Sequence, residues 1–87
     1  MQKINSEYKL KFFKTFGNLV KKYRLKSRRT ISQISIPNHI SPKTWSNIER
    51  GHLEKIMLFS LFKVSKTLNI NLHDLIIETK DIIKKDN

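Results

Sequence analysis

Ser41, Lys43, Thr44, Ser46, Asn47 and Arg50 crowd into one short stretch, SPKTWSNIER (41–50). Short hydroxyls, one carboxamide and two cations are donors and acceptors of the kind that address base-pair edges, with only a thin cover of charge. On a helix, Trp45 and Ile48 lie three positions apart and turn the same way, toward a core shared with Ile40. Lys43, Thr44, Ser46, Asn47 and Arg50 then remain for the other sides. Trp45 is therefore expected to pack rather than to stack on a base. Glu49 is out of place on a surface meant for a polyanion, so it is expected to turn inward and pair with a basic residue of the first helix, Arg24 or Lys22. The plainer alternative is an exposed acid beside Arg50.

Other chemistry finds little support. His39, His52 and His73 are far apart in sequence, and none has a metal-ligand spacing such as His-x-x-x-His. Two Gly in the whole chain leave no glycine-rich phosphate loop, and the absence of Cys excludes disulfides and Cys-based metal sites. Asp74 and Glu78 share a helix face, for which a solvated surface is the ordinary explanation. The expectation is a binding protein rather than an enzyme, with no cofactor and no metal.

Charge narrows the class of partner. The 87 residues carry a formal net charge of +11, distributed unevenly. Residues 1–29 hold ten Lys/Arg and one acid, whereas residues 52–87 hold six Lys and five acids. A basic arm or face joined to a near-neutral half points to a polyanion. Lys9, Lys11 and Lys14 interrupt the apolar residues near the N-terminus, so nothing there reads as a signal peptide. No apolar run approaches the ~20 residues of a membrane span. The expected location is the cytoplasm, at the nucleoid. Heavy use of Lys, Ile and Asn hints at AT-rich coding, as in a low-GC bacterium, its phage or a plasmid.

The elements that position these residues read as helices throughout, in one small domain with room for one modest core. Residues 5–27 form the longest candidate: Asn5 or Ser6 can cap it, and Tyr8, Phe12, Phe16, Leu19 or Val20, and Tyr23 recur at helical spacing. Gly17 interrupts this run and suggests two pieces. Residues 30–37 read as a second, short helix with Ile31 and Ile34 inward and Pro37 at its end. The third helix, 42–50, has well-marked ends. Ser41 can cap it, Pro42 suits its first position, Ile40 and Trp45 are spaced as a hydrophobic staple, and Gly51 can close it in a left-handed turn. Residues 52–55 form a polar loop. Residues 56–69 give an amphipathic helix burying Leu58, Leu61, Phe62, Ser65 and Leu68. Asn71 can cap a last helix with Leu72, Leu75 and Ile76 inward. No strand and no internal repeat is evident.

The order short helix, turn, ISPKTWSNIERG (40–51), polar loop, LFKVSKTLNINLHDLI (61–76) resembles the lambda-repressor-like helix-turn-helix family of bacterial and phage regulators (the Cro/repressor or XRE type). Ser41, Pro42, Thr44, Trp45, Ser46, Ile48, Glu49 and Gly51 match the family's recognition-helix pattern. LNINLHDLI (68–76) matches its closing pattern, and LVKKYRLK (19–26), with Arg24, fits its first helix. The resemblance covers about residues 16–77 and implies an all-α, compact five-helix domain; residues 1–15, read as a basic helical extension, have no counterpart in the family, and 78–87 read as the end of the last helix and a tail. The second helix departs from the family. Gapless spacing between Arg24 and Gly51 puts Ile34-Ser35 and Asn38-His39 where the family has Leu-Ala and Leu-Gly; alternatively ISQ (31–33) begins the helix and the turn is shortened.

The resemblance implies a sequence-specific double-stranded DNA-binding transcriptional regulator of repressor type, with helix 42–50 in the major groove. Lys43 would donate to guanine, Asn47 would pair with adenine, the Thr44 methyl would touch thymine, and Ser41 and Ser46 would reach base edges or phosphate. Lys26, Arg28, Arg29, Gln33 and Arg50 would hold phosphates. Family members bind two-fold sites as dimers, and the surplus Ile77, Ile82 and Ile83 of helix 72–85 suggest a homodimer surface; they could equally complete the core. Two other readings compete: a protein-interaction module on the same fold, such as an antitoxin or anti-repressor with a second protein partner, and a non-specific nucleic-acid binder. Lys and Phe alternate in KLKFFKTF (9–16) as in interfacial helices, but they also suit the outside of a Lys-rich core helix, and no membrane partner is expected.

Overall fold

A computed structural model describes residues 6–86 as five α-helices, with no strand among them. The first helix, α1, spans Ser6–Lys26 without a break. Its apolar stripe buries Phe16, Leu19 and Val20, so both candidates at the 19/20 position face inward. Phe12 and Tyr23 pack half-buried against the core, and the Tyr8 ring leans on Phe12 with centroids 6.3 Å apart. Asn5 lies outside the described residues, and Ser6 is the first helical residue.

The expected interruption at Gly17 is absent, and the reason lies in packing. A Cβ at Gly17 would run into the carbonyl oxygens of Ile48 and Glu49. The glycine lets the α1 backbone lie directly against the end of the third helix. Its helix-weakening tendency, about 1 kcal/mol relative to Ala, is offset by that approach.

Helix α2 (Ile31–Ser35) is shorter than expected. Thr30 and Gln33 form a reciprocal capping box at its start: Gln33 N donates to Thr30 Oγ1 at 3.1 Å and Thr30 N donates to Gln33 Oε1 at 2.9 Å. Pro37 has no N–H to continue the ladder, so the chain tightens into a 3₁₀ turn, Ile36–Asn38. The Asn38 side-chain amide takes up the Ile34 carbonyl at 2.8 Å. His39 then adopts a left-handed backbone, φ 59°, which redirects the chain into the next helix. Ile34 is buried as expected, together with Ser35, whereas Ile31 is only half-buried.

Helix α3 (Pro42–Glu49) has the expected ends. Ser41 Oγ accepts from Thr44 N at 3.0 Å, and Ile40 and Trp45 are both in the core. Gly51, at φ +80°, lets Gly51 N reach Ile48 O and His52 N reach Asn47 O, a Schellman closure.

Helix α4 (Leu58–Thr67) begins later than expected, after an extended Met57. Leu61, Val64, Ser65 and Leu68 turn inward, but Leu58 is 63% exposed and Phe62 51% exposed, contrary to expectation. Leu53, from the loop expected to be polar, joins the core, and Ile56, expected as the first residue of this helix, packs half-buried against it from the segment before α4. Helix α5 (Leu72–Lys85) is capped by Asn71, whose Oδ1 accepts from His73 N at 2.8 Å. It packs along α1 and buries Leu72, Leu75, Thr79 and Ile83. Ile83, only 3% exposed, is therefore a core residue and not part of a docking surface. No helix among the described residues is long and apolar enough to cross a membrane.

Candidate nucleic-acid interface

The ends of α3 decide which of its side chains look outward. Trp45, Ile48 and Glu49 are buried; Ser41, Lys43 and Arg50 are exposed, and Thr44, Ser46 and Asn47 are half-exposed. All five expected base-reading residues thus stay accessible on one short helix and its cap. Ser41 and Thr44 are already engaged with each other, since the hydroxyls lie 2.9 Å apart and Ser41 Oγ also caps the helix. Their outward capacity is correspondingly reduced. The side chains of Lys43, Ser46 and Asn47 bond to no other described residue, and so keep their donors and acceptors for a ligand.

Glu49 faces inward. Arg24 Nε and Nη2 donate to its two carboxylate oxygens at 2.5 and 3.0 Å, and the Trp45 indole N–H donates to Oε2 at 2.6 Å. Of the two basic partners expected, Arg24 is the one used. Its remaining group, Nη1, donates to the Arg29 carbonyl at 2.9 Å. One buried carboxylate thus ties α1, α3 and the turn carrying Arg28 and Arg29 into a single unit. The bond to Glu49 holds the Arg24 guanidinium above its ordinary pKa, against the opposing effect of burial.

This arrangement brings the cations together without an acid among them. Lys26, Arg28 and Arg29 are all exposed at the α1–α2 turn, where Arg28 has a left-handed backbone, φ 59°. Glu49 is the only acid between residues 8 and 53, and it is internal. Gln33 is also exposed, but its carbonyl oxygen belongs to the capping box, leaving only its amide N–H groups for another partner. It serves first as a helix cap.

Two further links escape sequence reasoning. Lys63 on α4 donates to the His39 carbonyl at 3.2 Å, fixing the turn that leads into α3. The Tyr23 hydroxyl lies 2.7 and 2.8 Å from the two oxygens of Glu78, bracing α1 against α5. That hydrogen bond, with partial burial and the carboxylate charge, raises the Tyr23 pKa above the ordinary phenol range. Glu78 is thus a bracing residue and not simply part of a solvated face. An open groove of about 340 Å³ lies beside this contact, lined by Tyr23, Ile70, Asp74, Ile77, Glu78 and Asp81. No group of three or more His, Asp or Glu that could hold a metal ion occurs among the described residues. Compared with protein-family models and with curated proteins, the sequence matches none.

Proposed function

We propose that the chain is a sequence-reading double-stranded DNA-binding protein, a transcriptional regulator built on a lambda-repressor-like helix-turn-helix. In this reading α2, the 36–41 turn and α3 form the motif, and α3 enters the major groove. The observation that carries it is the inward position of Glu49: it leaves α3 and the 26–29 turn with cations and short polar groups but no acid. Asn47 is assigned to adenine and Lys43 to guanine, with Thr44 and Ser46 on neighbouring base edges and Ser41 at the helix start. Lys26, Arg28, Arg29 and Arg50 hold phosphates and set the register; the Gln33 amide N–H groups supplement them. Two copies would occupy a two-fold site.

The test is selection from a random duplex pool, followed by sequencing, at two salt concentrations and with Asn47→Ala beside the wild type. A two-fold motif that relaxes in the variant is the expected outcome. Recovery of no motif, with affinity collapsing equally in both proteins as salt rises, would replace this reading with a general polyanion binder.

A further inference from the structure

The first turn of α4 presents apolar side chains to solvent. Met57 is 72% exposed, Leu58 63%, Phe59 66% and Phe62 51%. Clustering of this kind, unlike single exposed apolar residues, marks a surface that is covered by something. Its surroundings are basic: Lys55 and Lys66 are exposed at its two ends, and the Lys63 ammonium lies 5.4 Å from the Phe59 ring centroid. The nearest acid in sequence, Glu54, is drawn to Lys9 at 2.9 Å. Bringing two such patches face to face would set these lysines against one another.

Among the described residues, the opposite character occurs beside Tyr23. The groove there is apolar at Ile70 and Ile77 and acidic at Asp74, Glu78 and Asp81; Lys22 and Lys26 lie against the Tyr23 ring at 5.8 and 5.4 Å from its centroid, which leaves Asp74 and Asp81, on the α5 side, as the acids free to face a cation. It holds three of the seven acids of a chain whose net charge is +11. The groove is open, and its volume of about 340 Å³ has room for an aromatic side chain. We propose that the Met57–Phe62 knob of one copy seats in the Tyr23–Ile77 groove of a second copy, with Lys55 and Lys66 facing Asp74 and Asp81. Across a two-fold axis each copy gives its knob and receives its partner's, so the contact is made twice and the assembly closes as a dimer. This deepens the DNA-binding reading, which asks for two copies, but the contact uses no residue assigned to DNA.

The test is sedimentation equilibrium of the full chain without DNA, so its failure and the failure of DNA reading are separately visible. Wild type is expected to pass from monomer to dimer with rising concentration, and Phe59→Asp to weaken this by about tenfold or more, the loss of a buried aromatic anchor. Two charge variants then separate knob-in-groove from other pairings. K55E/K66E makes both surfaces acidic, and D74K/D81K makes both basic; each is expected to stay monomeric alone. An equimolar mixture of the two is expected to form a heterodimer, and all four changes in one chain to restore the homodimer. All five altered side chains are exposed, and unchanged helical circular dichroism will certify the fold. A wild type that remains monomeric overturns the proposal. So does D74K/D81K self-associating like wild type, or a mixture no more associated than its components.

Discussion

The Arg24–Glu49–Trp45 cluster concentrates the consequences of single substitutions. A buried ion pair adds little over an apolar replacement of the same volume, but removing one partner strands a charge. Arg24→Ala is expected to cost about 3–5 kcal/mol, because it leaves Glu49 in the interior with only the indole N–H as partner. Urea denaturation of variant and wild type checks this, and a loss under about 1 kcal/mol would mean that water reaches the carboxylate. Ser35 makes the opposite case. It is fully buried, and its hydroxyl has no hydrogen-bond partner. Ser35→Ala is expected to raise stability by about 1 kcal/mol, read as a higher denaturation midpoint with an unchanged slope. Tyr23 adds a pH dependence. Unfolded, its phenol ionises near pH ~10; folded, it holds its proton to higher pH beside Glu78. The contact therefore stabilises fully below about pH 10 and is lost as pH rises through the raised folded value. Ultraviolet titration should show one tyrosine ionising late, and Tyr23→Phe should remove that one.

At the scale of elements, the position of α3 depends on how closely α1 approaches it. Gly17→Ala would favour helix α1 taken alone, by about 1 kcal/mol. The added methyl would nevertheless meet the backbone of Ile48 and Glu49, which cannot swing aside as a side chain could. Overpacking of this kind costs about 1–3 kcal/mol, and net destabilisation is expected in a thermal melt. An unchanged or higher melting temperature would show that α1 can slide along α3 without loss. The same approach continues at Gly51, where an added Cβ would meet the backbone of Phe13 and Lys14. The segment that reads as an N-terminal extension thus takes part in seating the far end of α3.

For the whole molecule, charge is partitioned between two surfaces. The acid of α3, Glu49, is internal, and those of α5 gather at one groove, leaving the exposed faces of the α1–α2 turn and α3 basic and polar. If that side meets DNA, the salt dependence of binding counts the phosphates neutralised. Arg28→Ala and Arg29→Ala are each expected to reduce the slope of log K against log salt by about one, equally for all sequences. Lys43→Ala is expected to change sequence preference more than slope. Binding titrations at several salt concentrations distinguish the two, and equal slope changes in all three variants would count against a reading role for Lys43.

The sequence by itself determined the local events. Ser41, Pro42, the Ile40–Trp45 staple and Gly51 specify α3 within twelve residues, because caps and staples are made by side chains a turn apart. It also favoured an inward Glu49 on the ground of its charge, but left open an exposed acid beside Arg50, which the structure overturns. Choosing Arg24 over Lys22 required the crossing of α1 and α3. The tertiary structure alone decided what depends on neighbours remote in sequence. Helical periodicity states which residues share a face, but not whether another element covers it. Leu58 and Phe62 continue the α4 stripe yet remain exposed, while Leu53 enters the core from a loop. Ile83 is buried where Ile77 is not, because α5 lies along α1 at an angle that no pattern within α5 records. Gly17 reads as a helix breaker and acts as a contact, since the space its missing side chain leaves is filled by the backbone of Ile48 and Glu49, far away in the chain.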